Sequence, residues 1–195
     1  MKEKTFFFAL LLVSLTETSI FAPKYDVMEI RKATLSDMPA LMRIFDSARA
    51  FMRATGNPTQ WVDGYPSEEQ VRRDVENGHC YCVVNASSGV VATFCLIPGE
   101  DPNYRRIDHG RWLDDRPYAT IHRLASDGSV RGVAEACFDW CLSRYDNLRA
   151  DTHADNKILQ HILAKYDFVY CGIVHVANGT ERLAFQRRSA GVSPR

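Results

Sequence analysis

Residues 118–134, YATIHRLASDGSVRGVA, give the clearest indication of the architecture. Residues 118–125 have the composition of a strand, the Asp-Gly-Ser that follows is typical of a turn, and a helix is predicted from Arg131 onward. A helix that begins this soon after a strand directs its first unpaired N–H groups outward, where they attract an anion. Gly132 and Ala134 leave room for a ligand such as a pyrophosphate, and Arg131 adds a positive charge. An ordinary capped helix start is an equally good interpretation of the spacing alone.

On either side of this junction, the sequence pattern alternates between strands and helices. Apolar residues at every second position indicate strands, and apolar residues three and four apart indicate amphipathic helices. The predicted strands are 27–32, 79–85, 90–97, 118–125, 147–151, 168–176 and 182–186, and the predicted helices are 38–55, 68–77, 131–145 and 155–166. This order predicts an α/β fold with a mixed sheet and helices on both faces.

Both ends of the chain are predicted to lie outside the folded domain, which we expect to span residues 28–187. Residues 1–27 contain a short charged stretch and an apolar run from Phe6 to Leu15, which is typical of a secretory signal and too short to span a bilayer. An over-long start is the second interpretation of this N-terminal extension. Residues 188–195 have the composition of a loose tail.

Composition and charge limit the possible partners. Hydrophobic residues make up 46% of the 195 residues and charged residues 25%, as in ordinary soluble globular proteins. The 24 Lys and Arg side chains balance 24 Asp and Glu side chains, so the basic excess of a nucleic-acid binder is missing. We therefore expect no nucleic-acid partner and, without the N-terminal extension, no membrane partner. A homodimer stays open.

The six cysteines form no CxxC pair, which argues against a zinc site. We expect buried free thiols, which suit a reducing compartment and therefore a cytoplasmic location. Export is the alternative location if residues 1–22 act as a signal peptide.

Several motifs together resemble the GNAT superfamily of N-acetyltransferases. The motif of that family at the strand–helix junction is Gln or Arg, two residues, Gly, one residue, then Gly or Ala. Residues 129–134, SVRGVA, match the motif at Gly132 and Ala134 and depart from it at Ser129. The order of elements over about residues 28–187 is also that of the family.

Two shorter runs add to the resemblance. Residues 30–37, IRKATLSD, are similar to the family's first strand and turn. Residues 164–168, AKYDF, resemble the end of its fourth helix, with Asp167 in place of a usual glycine.

The resemblance implies a mostly antiparallel sheet that splits between its fourth and fifth strands and binds acetyl-CoA in the split. The implied reaction moves the acetyl group to a primary amine of a small molecule, a peptide or a protein. Asn156 falls where the family often has an amide near the cofactor. The other implied cofactor contacts are backbone groups, namely Arg123, Leu124 and Ala125 for the pantetheine and Val130, Arg131, Gly132, Val133 and Ala134 for the pyrophosphate.

The acid–base residues must come from this sequence itself, because the position of the tyrosine that many relatives use as an acid is Leu163 here. His122, directly before the cofactor segment, is the first candidate base, since free imidazole has a pKa of ~6.5. His153 is the second, with Asp151 two residues before it as a group that orients or charge-stabilises the ring. Each histidine is equally consistent with a structural role.

Residues for the acceptor are expected in the loop after the first helix. Trp61 and Tyr65 are predicted to hold an amine by cation–π contact, with Asp63 supplying a negative charge. The alternative is that the two aromatic rings pack the loop onto the sheet.

Three other functions stay open. The first is a degenerate GNAT-like protein that binds CoA without turnover, suggested by Ser129 and Leu163. The second is a metal-dependent hydrolase that uses Asp151, His153 and Asp155, although no further ligands are evident and no metal is expected. The third is a secreted binding protein, suggested by the apolar run near the N-terminus.

Overall fold

The computed structural model describes residues 28–189, so the predictions for residues 1–27 and 190–195 lie outside the described residues. Seven strands form one sheet: β1 (Met28–Lys32), β2 (Cys80–Asn85), β3 (Gly89–Pro98), β4 (Ala119–Ser126), β5 (Asn147–Thr152), β6 (Val169–His175) and β7 (Glu181–Arg188). Four helices accompany it: α1 (Met38–Ala54), α2 (Glu68–Glu76), α3 (Val133–Leu142) and α4 (Lys157–Lys165). The predicted order of strands and helices is confirmed.

The sheet is mixed and mostly antiparallel, with strand order β1-β2-β3-β4-β5-β7-β6. Only β4 and β5 are parallel, and their ladder ends with the pair Ile121 and Ala150. Beyond this pair the two strands diverge and leave a split in the middle of the sheet. The predicted fold class, including the split between the fourth and fifth strands, is confirmed.

Helices cover both faces of the sheet, because two apolar clusters lie on opposite sides of it. On one face Leu41 and Phe45 of α1 pack with Val71 of α2. On the other face Phe138 of α3 and Leu163 of α4 pack against the strands. These side chains are almost fully buried, as expected for the apolar stripes of amphipathic helices.

Some element ends differ from the prediction for local reasons. Helix α3 begins at Val133, two residues later than predicted, because Gly132 has φ 80 in the left-handed region, which a glycine adopts without steric cost. The same helix ends at Leu142. Strand β7 continues to Arg188, which pairs with Asn147, and so extends into the stretch predicted as a tail.

The long connection between β3 and β4 is packed against the sheet. The backbone of Asp108 pairs with Ile173 of β6, with both N–O distances at 2.8 Å. A Cβ atom on Gly110 would overlap the carbonyl oxygen of Cys171, so only a glycine permits this close approach. The connection therefore holds its short 3-10 turn, Pro102–Tyr104, beside the split.

All six cysteines are buried free thiols, as predicted. No helix within residues 28–189 is both long enough and apolar enough to cross a membrane.

Candidate active site

The site is centred on the first residues of β4 and β5 beyond their last shared pair, namely His122 and Asp151. Strand β4 carries a bulge at this point, because Arg123 and Leu124 both lie opposite the single residue Phe94 of β3. Arg123 has φ 53, a value that is uncommon for a side-chain-bearing residue. Bulges of this kind redirect side chains and are frequent next to active sites.

His122 lies between two carboxylates. Its Nε2 atom is 2.6 Å from Oδ2 of Asp101, which belongs to the β3–β4 connection. Its Nδ1 atom is 3.6 Å from Oδ1 of Asp151. Tyr104 donates its hydroxyl hydrogen to the same Asp151 oxygen at 2.6 Å. All four side chains are largely buried, so these interactions are only weakly screened by solvent.

The charges of the neighbours determine how the imidazole is held. Burial opposes ionisation of Asp101, but the hydrogen bond and charge of His122, together with two hydrogen bonds from Asn103, outweigh burial and lower the pKa of that carboxyl group. Burial, together with the negative charge of Asp151, raises the pKa of Tyr104 well above its ordinary value, so the phenol stays protonated and donates. Nε2–H of His122 therefore donates its hydrogen bond to Asp101. In the neutral ring Nδ1 is then a free acceptor on the side of Asp151.

These groups line a cavity of about 530 Å³ at the split. Trp61 and Tyr65 contribute aromatic surface from the loop between α1 and α2, and Arg182 of β7 contributes a positive charge. The cavity thus combines apolar walls with a few converging polar groups, as small-molecule sites do.

A second cavity of about 350 Å³ adjoins the first, since Leu124, Asn156 and Leu159 line both. It lies between the end of β4, the start of α3, the start of α4 and the side of α1. From His122 onward, the edge of β4 that faces β5 has no ladder partner within the described residues. Helix α3 begins without a side-chain cap, so its first N–H groups are available to a ligand.

Some of the predicted cofactor residues line this second cavity and others do not. Leu124, Ala125, Val133 and Ala134 line it, as does Asn156, whose Oδ1 accepts a hydrogen bond from Leu159 N–H at 3.0 Å. The remaining predicted residues, Arg123, Val130, Arg131 and Gly132, do not line the cavity.

The side chain of Arg123 does not line the smaller cavity and forms a buried ion pair. Its Nη2 donates to Oδ1 of Asp74 in α2 at 2.9 Å, and its Nη1 donates to the Tyr65 hydroxyl at 3.2 Å. The contact that the resemblance implied at Arg123 involves the backbone and does not depend on this side chain.

His153 does not belong to the cluster around His122. Its Nδ1 accepts the backbone N–H of Asp155 at 3.2 Å, and its Nε2 lies 3.4 Å from Oγ1 of Thr59. It lines neither cavity. Within residues 28–189, no group of three or more His, Cys, Asp or Glu side chains is arranged to hold a metal ion.

The aromatic rings of the loop between α1 and α2 pack against each other and against α1. Trp61 packs edge-on against Phe45, with ring centroids 5.7 Å apart, and Tyr65 packs against Trp61 at 6.2 Å. Both rings nevertheless line the larger cavity, whereas Asp63 is exposed and lines neither.

Three residues of the site have no counterpart among the sequence predictions: Asp101, Tyr104 and Arg182. Asp101 precedes a proline and accepts the Asn103 N–H at 2.8 Å, so the sequence signal at that position indicates only a turn. Its approach to His122 depends on the tertiary packing of the connection.

A solved structure of a GNAT-family acetyltransferase from Streptococcus agalactiae is similar to this chain. The two share 32% sequence identity and a TM-score of 0.74, over 86% of this chain and 98% of the other. The chain belongs to the GNAT family of acetyltransferases. The resemblance inferred from the sequence motifs is thereby confirmed.

More distant GNAT acetyltransferases share the fold. The structure from Listeria monocytogenes has 13% identity and a TM-score of 0.60, over 83% of this chain and 95% of the other. The structure from Bacillus cereus has 15% identity and a TM-score of 0.55, over 85% and 99%. No family model matches the chain, and the search of curated proteins finds no significant match.

This GNAT acetyltransferase has Leu163, fully buried in the core, where the sequence comparison expected the family's tyrosine. The titratable side chains next to the split include His122 and its two carboxylate neighbours.

Proposed function

We propose that the protein transfers the acetyl group of acetyl-CoA to a primary amine and that His122 is the general base. The supporting observation is the position of His122, which is fixed by Asp101 where the sheet splits and the two cavities join. The membership of the GNAT family supports the acetyl transfer.

The smaller cavity has the chemistry that acetyl-CoA requires. The unpaired edge of β4 at Leu124 and Ala125 offers backbone groups to the amides of a pantetheine chain. The uncapped start of α3 at Val133 and Ala134 offers N–H groups and the positive end of the helix dipole to a pyrophosphate. Bound acetyl-CoA supplies an acetyl thioester, which is activated toward a nucleophilic amine.

The protein's own residues bind the acceptor as an ammonium group and deprotonate it. An ammonium group enters a region made negative by Asp101 and Asp151, which favours its binding. His122 Nδ1 accepts a proton from the ammonium group, directly or through water, and the neutral amine that remains is the nucleophile. The resulting imidazolium is stabilised by Asp101 at Nε2 and by Asp151 near Nδ1. Tyr104 holds Asp151 in place.

The test is an assay of thiol release from acetyl-CoA in the presence of a panel of amines. A well-placed general base contributes roughly 10²–10⁴ in rate, so His122→Gln should lose that much of kcat while binding acetyl-CoA normally. His161→Gln, on the exposed side of α4, serves as the control and should retain the wild-type rate. A His122→Gln variant with normal turnover and an unchanged pH profile would refute the proposed base.

The buried Leu163 favours one competing function, a protein that binds CoA without turnover. The same assay separates the two, because such a protein binds acetyl-CoA in calorimetry and releases no thiol with any amine.

We also propose a cytoplasmic location. The supporting observation is the set of six buried free thiols, which is typical of proteins in a reducing compartment. Cell fractionation of the tagged full-length chain tests the location, and recovery outside the cytoplasm would contradict it.

A further inference from the structure

Arg182 is a buried cation whose charge has no counter-ion. Only 6% of the residue is exposed. Its Nη1 donates to Oγ1 of Thr180 and to the carbonyl oxygen of Glu181, each at 2.8 Å, and its Nη2 donates to the carbonyl oxygen of Gln60 at 3.1 Å. All three acceptors are neutral. Among the described residues, no carboxylate lies within ion-pair distance of this guanidinium.

Arg123, the other arginine that lines this cavity, does have a counter-ion. Arg123 pairs with the buried carboxylate of Asp74, with Nε and Oδ2 2.9 Å apart. A buried charge is costly unless it is paired, so the absence of a partner for Arg182 requires a reason. A guanidinium remains protonated even when burial lowers its pKa, so neutralisation is not the answer.

The register of the sheet places Arg182 on the same face as Asp151. Asp151 pairs with Ala184, and Arg182 lies two residues before Ala184 on β7. Alternate residues of a strand project to the same side, and diagonal neighbours of this kind are about 7–8 Å apart. Both side chains line the larger cavity. The cavity therefore carries the carboxylates around His122 and, on the neighbouring strand, a positive charge that has no ion-pair partner among the described residues.

We propose that the acceptor carries a carboxylate as well as its amine, and that Arg182 binds this carboxylate while the amine lies at His122. This proposal rests on the proposed acetyl transfer to an amine. The ligand's own carboxylate would supply the missing counter-ion, and a guanidinium binds a carboxylate with a planar fork of two donors. Trp61 and Tyr65, which line the same cavity, would contact the apolar part of the acceptor.

The test compares matched acceptors in the thiol-release assay. Each of the common amino acids is paired with its decarboxylated amine and with its carboxamide. The loss of a hydrogen bond to a charged group implies a preference of about 10- to 100-fold in kcat/KM for the carboxylate form. A wild-type protein that acetylates the decarboxylated amines or the carboxamides equally well, or better, overturns the proposal.

Variants separate a binding role of Arg182 from a structural one. Arg182→Gln should remove the preference for the carboxylate form, and Arg182→Lys should retain part of it because the charge stays. Arg187→Gln, on the same strand and lining neither cavity, should leave the preference intact. If Arg182→Gln slows all acceptors by the same factor, the residue only holds the loop at Gln60, and the proposal is wrong.

A binding measurement separates failure of this proposal from failure of the proposed function. Isothermal calorimetry of the same amino acids and amines is carried out with the protein saturated with CoA. Amino-acid binding that depends on Arg182 supports the carboxylate site even if no acetyl transfer occurs. If amines are acetylated and the carboxylate changes neither rate nor affinity, the acetyltransferase remains and the carboxylate site is excluded.

Discussion

At the scale of single residues, the position of the His122 imidazole depends on Asp101, which lies in the β3–β4 connection. Asp101 lies 21 residues before His122 and reaches it through the packing of the β3–β4 connection, in which Asp101 N–H donates to the Tyr118 hydroxyl at 3.0 Å. The hydrogen bond orients the ring and directs Nδ1 toward Asp151. We therefore propose that Asp101 positions His122, and this effect should be visible in the pH dependence of the reaction.

We expect Asp101→Asn to lower kcat by about tenfold to hundredfold, as the loss of a charge-assisted hydrogen bond implies. The negative charge that stabilises the imidazolium is lost, so the rise of kcat with pH should shift to lower pH. KM for acetyl-CoA should not change, because Asp101 lines only the larger cavity. The measurement is a pH profile of kcat with Glu100→Gln as the exposed control, and an unshifted profile would contradict the positioning role.

The residues that sequence alone could identify were those with a local signal. His122 and Asp151 lie where the predicted strands meet the predicted cofactor segment, and both line the cavity. Asp101, Tyr104 and Arg182 could not be found in this way, because their significance arises from contacts across the sheet. The bulge at Arg123 was equally hidden, since its positive φ is imposed by pairing with β3.

At the scale of secondary-structure elements, periodicity predicted the elements and left some of their ends undetermined. The apolar spacing of α1 identifies a helix wherever its ends fall, because each turn repeats the pattern. Helix ends depend on single dihedral angles instead. The left-handed conformation of Gly132 and the cap formed by Asn156 fix the starts of α3 and α4, and neither follows from a periodic pattern.

A substitution at the start of α3 tests the proposal that the smaller cavity binds acetyl-CoA. Ala134→Glu places bulk and a negative charge where a pyrophosphate is expected, at a position with ordinary helical geometry. We expect the affinity for acetyl-CoA to fall at least tenfold in calorimetry, while the melting temperature without ligand stays close to wild type. Ala136→Glu, in the same helix and outside the cavity, is the control. Normal affinity in Ala134→Glu would exclude this site.

The first turn before α1 should make stability depend on pH. Asp37 accepts two hydrogen bonds from Arg31, each at 2.8 Å, and one from Thr34 N–H at 2.8 Å. The Arg31 guanidinium, with help from Thr34, holds the pKa of Asp37 well below its ordinary value. The stabilisation is therefore present above the unfolded pKa of about 4 and is lost as the pH falls below it.

Asp37→Asn should lower the free energy of unfolding by about 1–2 kcal/mol at pH 7, in the range known for caps. The difference from wild type should shrink as the pH falls from 4 toward 3, because Asp37 then takes up a proton in the unfolded chain but stays ionised in the folded one. Urea unfolding at several pH values measures this. Asp46→Asn, an exposed position on α1, is the control. A difference that does not change with pH would show that the charge of Asp37 is unimportant.

At the scale of the whole molecule, the sheet consists of two antiparallel parts, β1-β2-β3-β4 and β5-β7-β6, joined by three residue pairs. The order of elements in the sequence predicted this topology, since a parallel neighbour of the fourth strand requires a crossover, which α3 provides. The width of the split and the two cavities within it could not be predicted, because they depend on how far two parallel strands diverge.

The boundary predicted at Met28 implies that residues 1–27 are dispensable for folding. Strand β1 pairs with β2 at every position from Met28 to Lys32. A chain that starts at residue 28, with an added initiator Met, should therefore fold and melt within a few degrees of the full chain. Acetyl-CoA at 100 times its Kd should add ~2.7 kcal/mol to the stability of both forms, because it binds only the folded state. Differential scanning fluorimetry with and without acetyl-CoA measures both effects. Two outcomes would place part of residues 1–27 within the domain. One is a shortened chain that is insoluble, and the other is a shortened chain that acetyl-CoA does not stabilise although it stabilises the full chain.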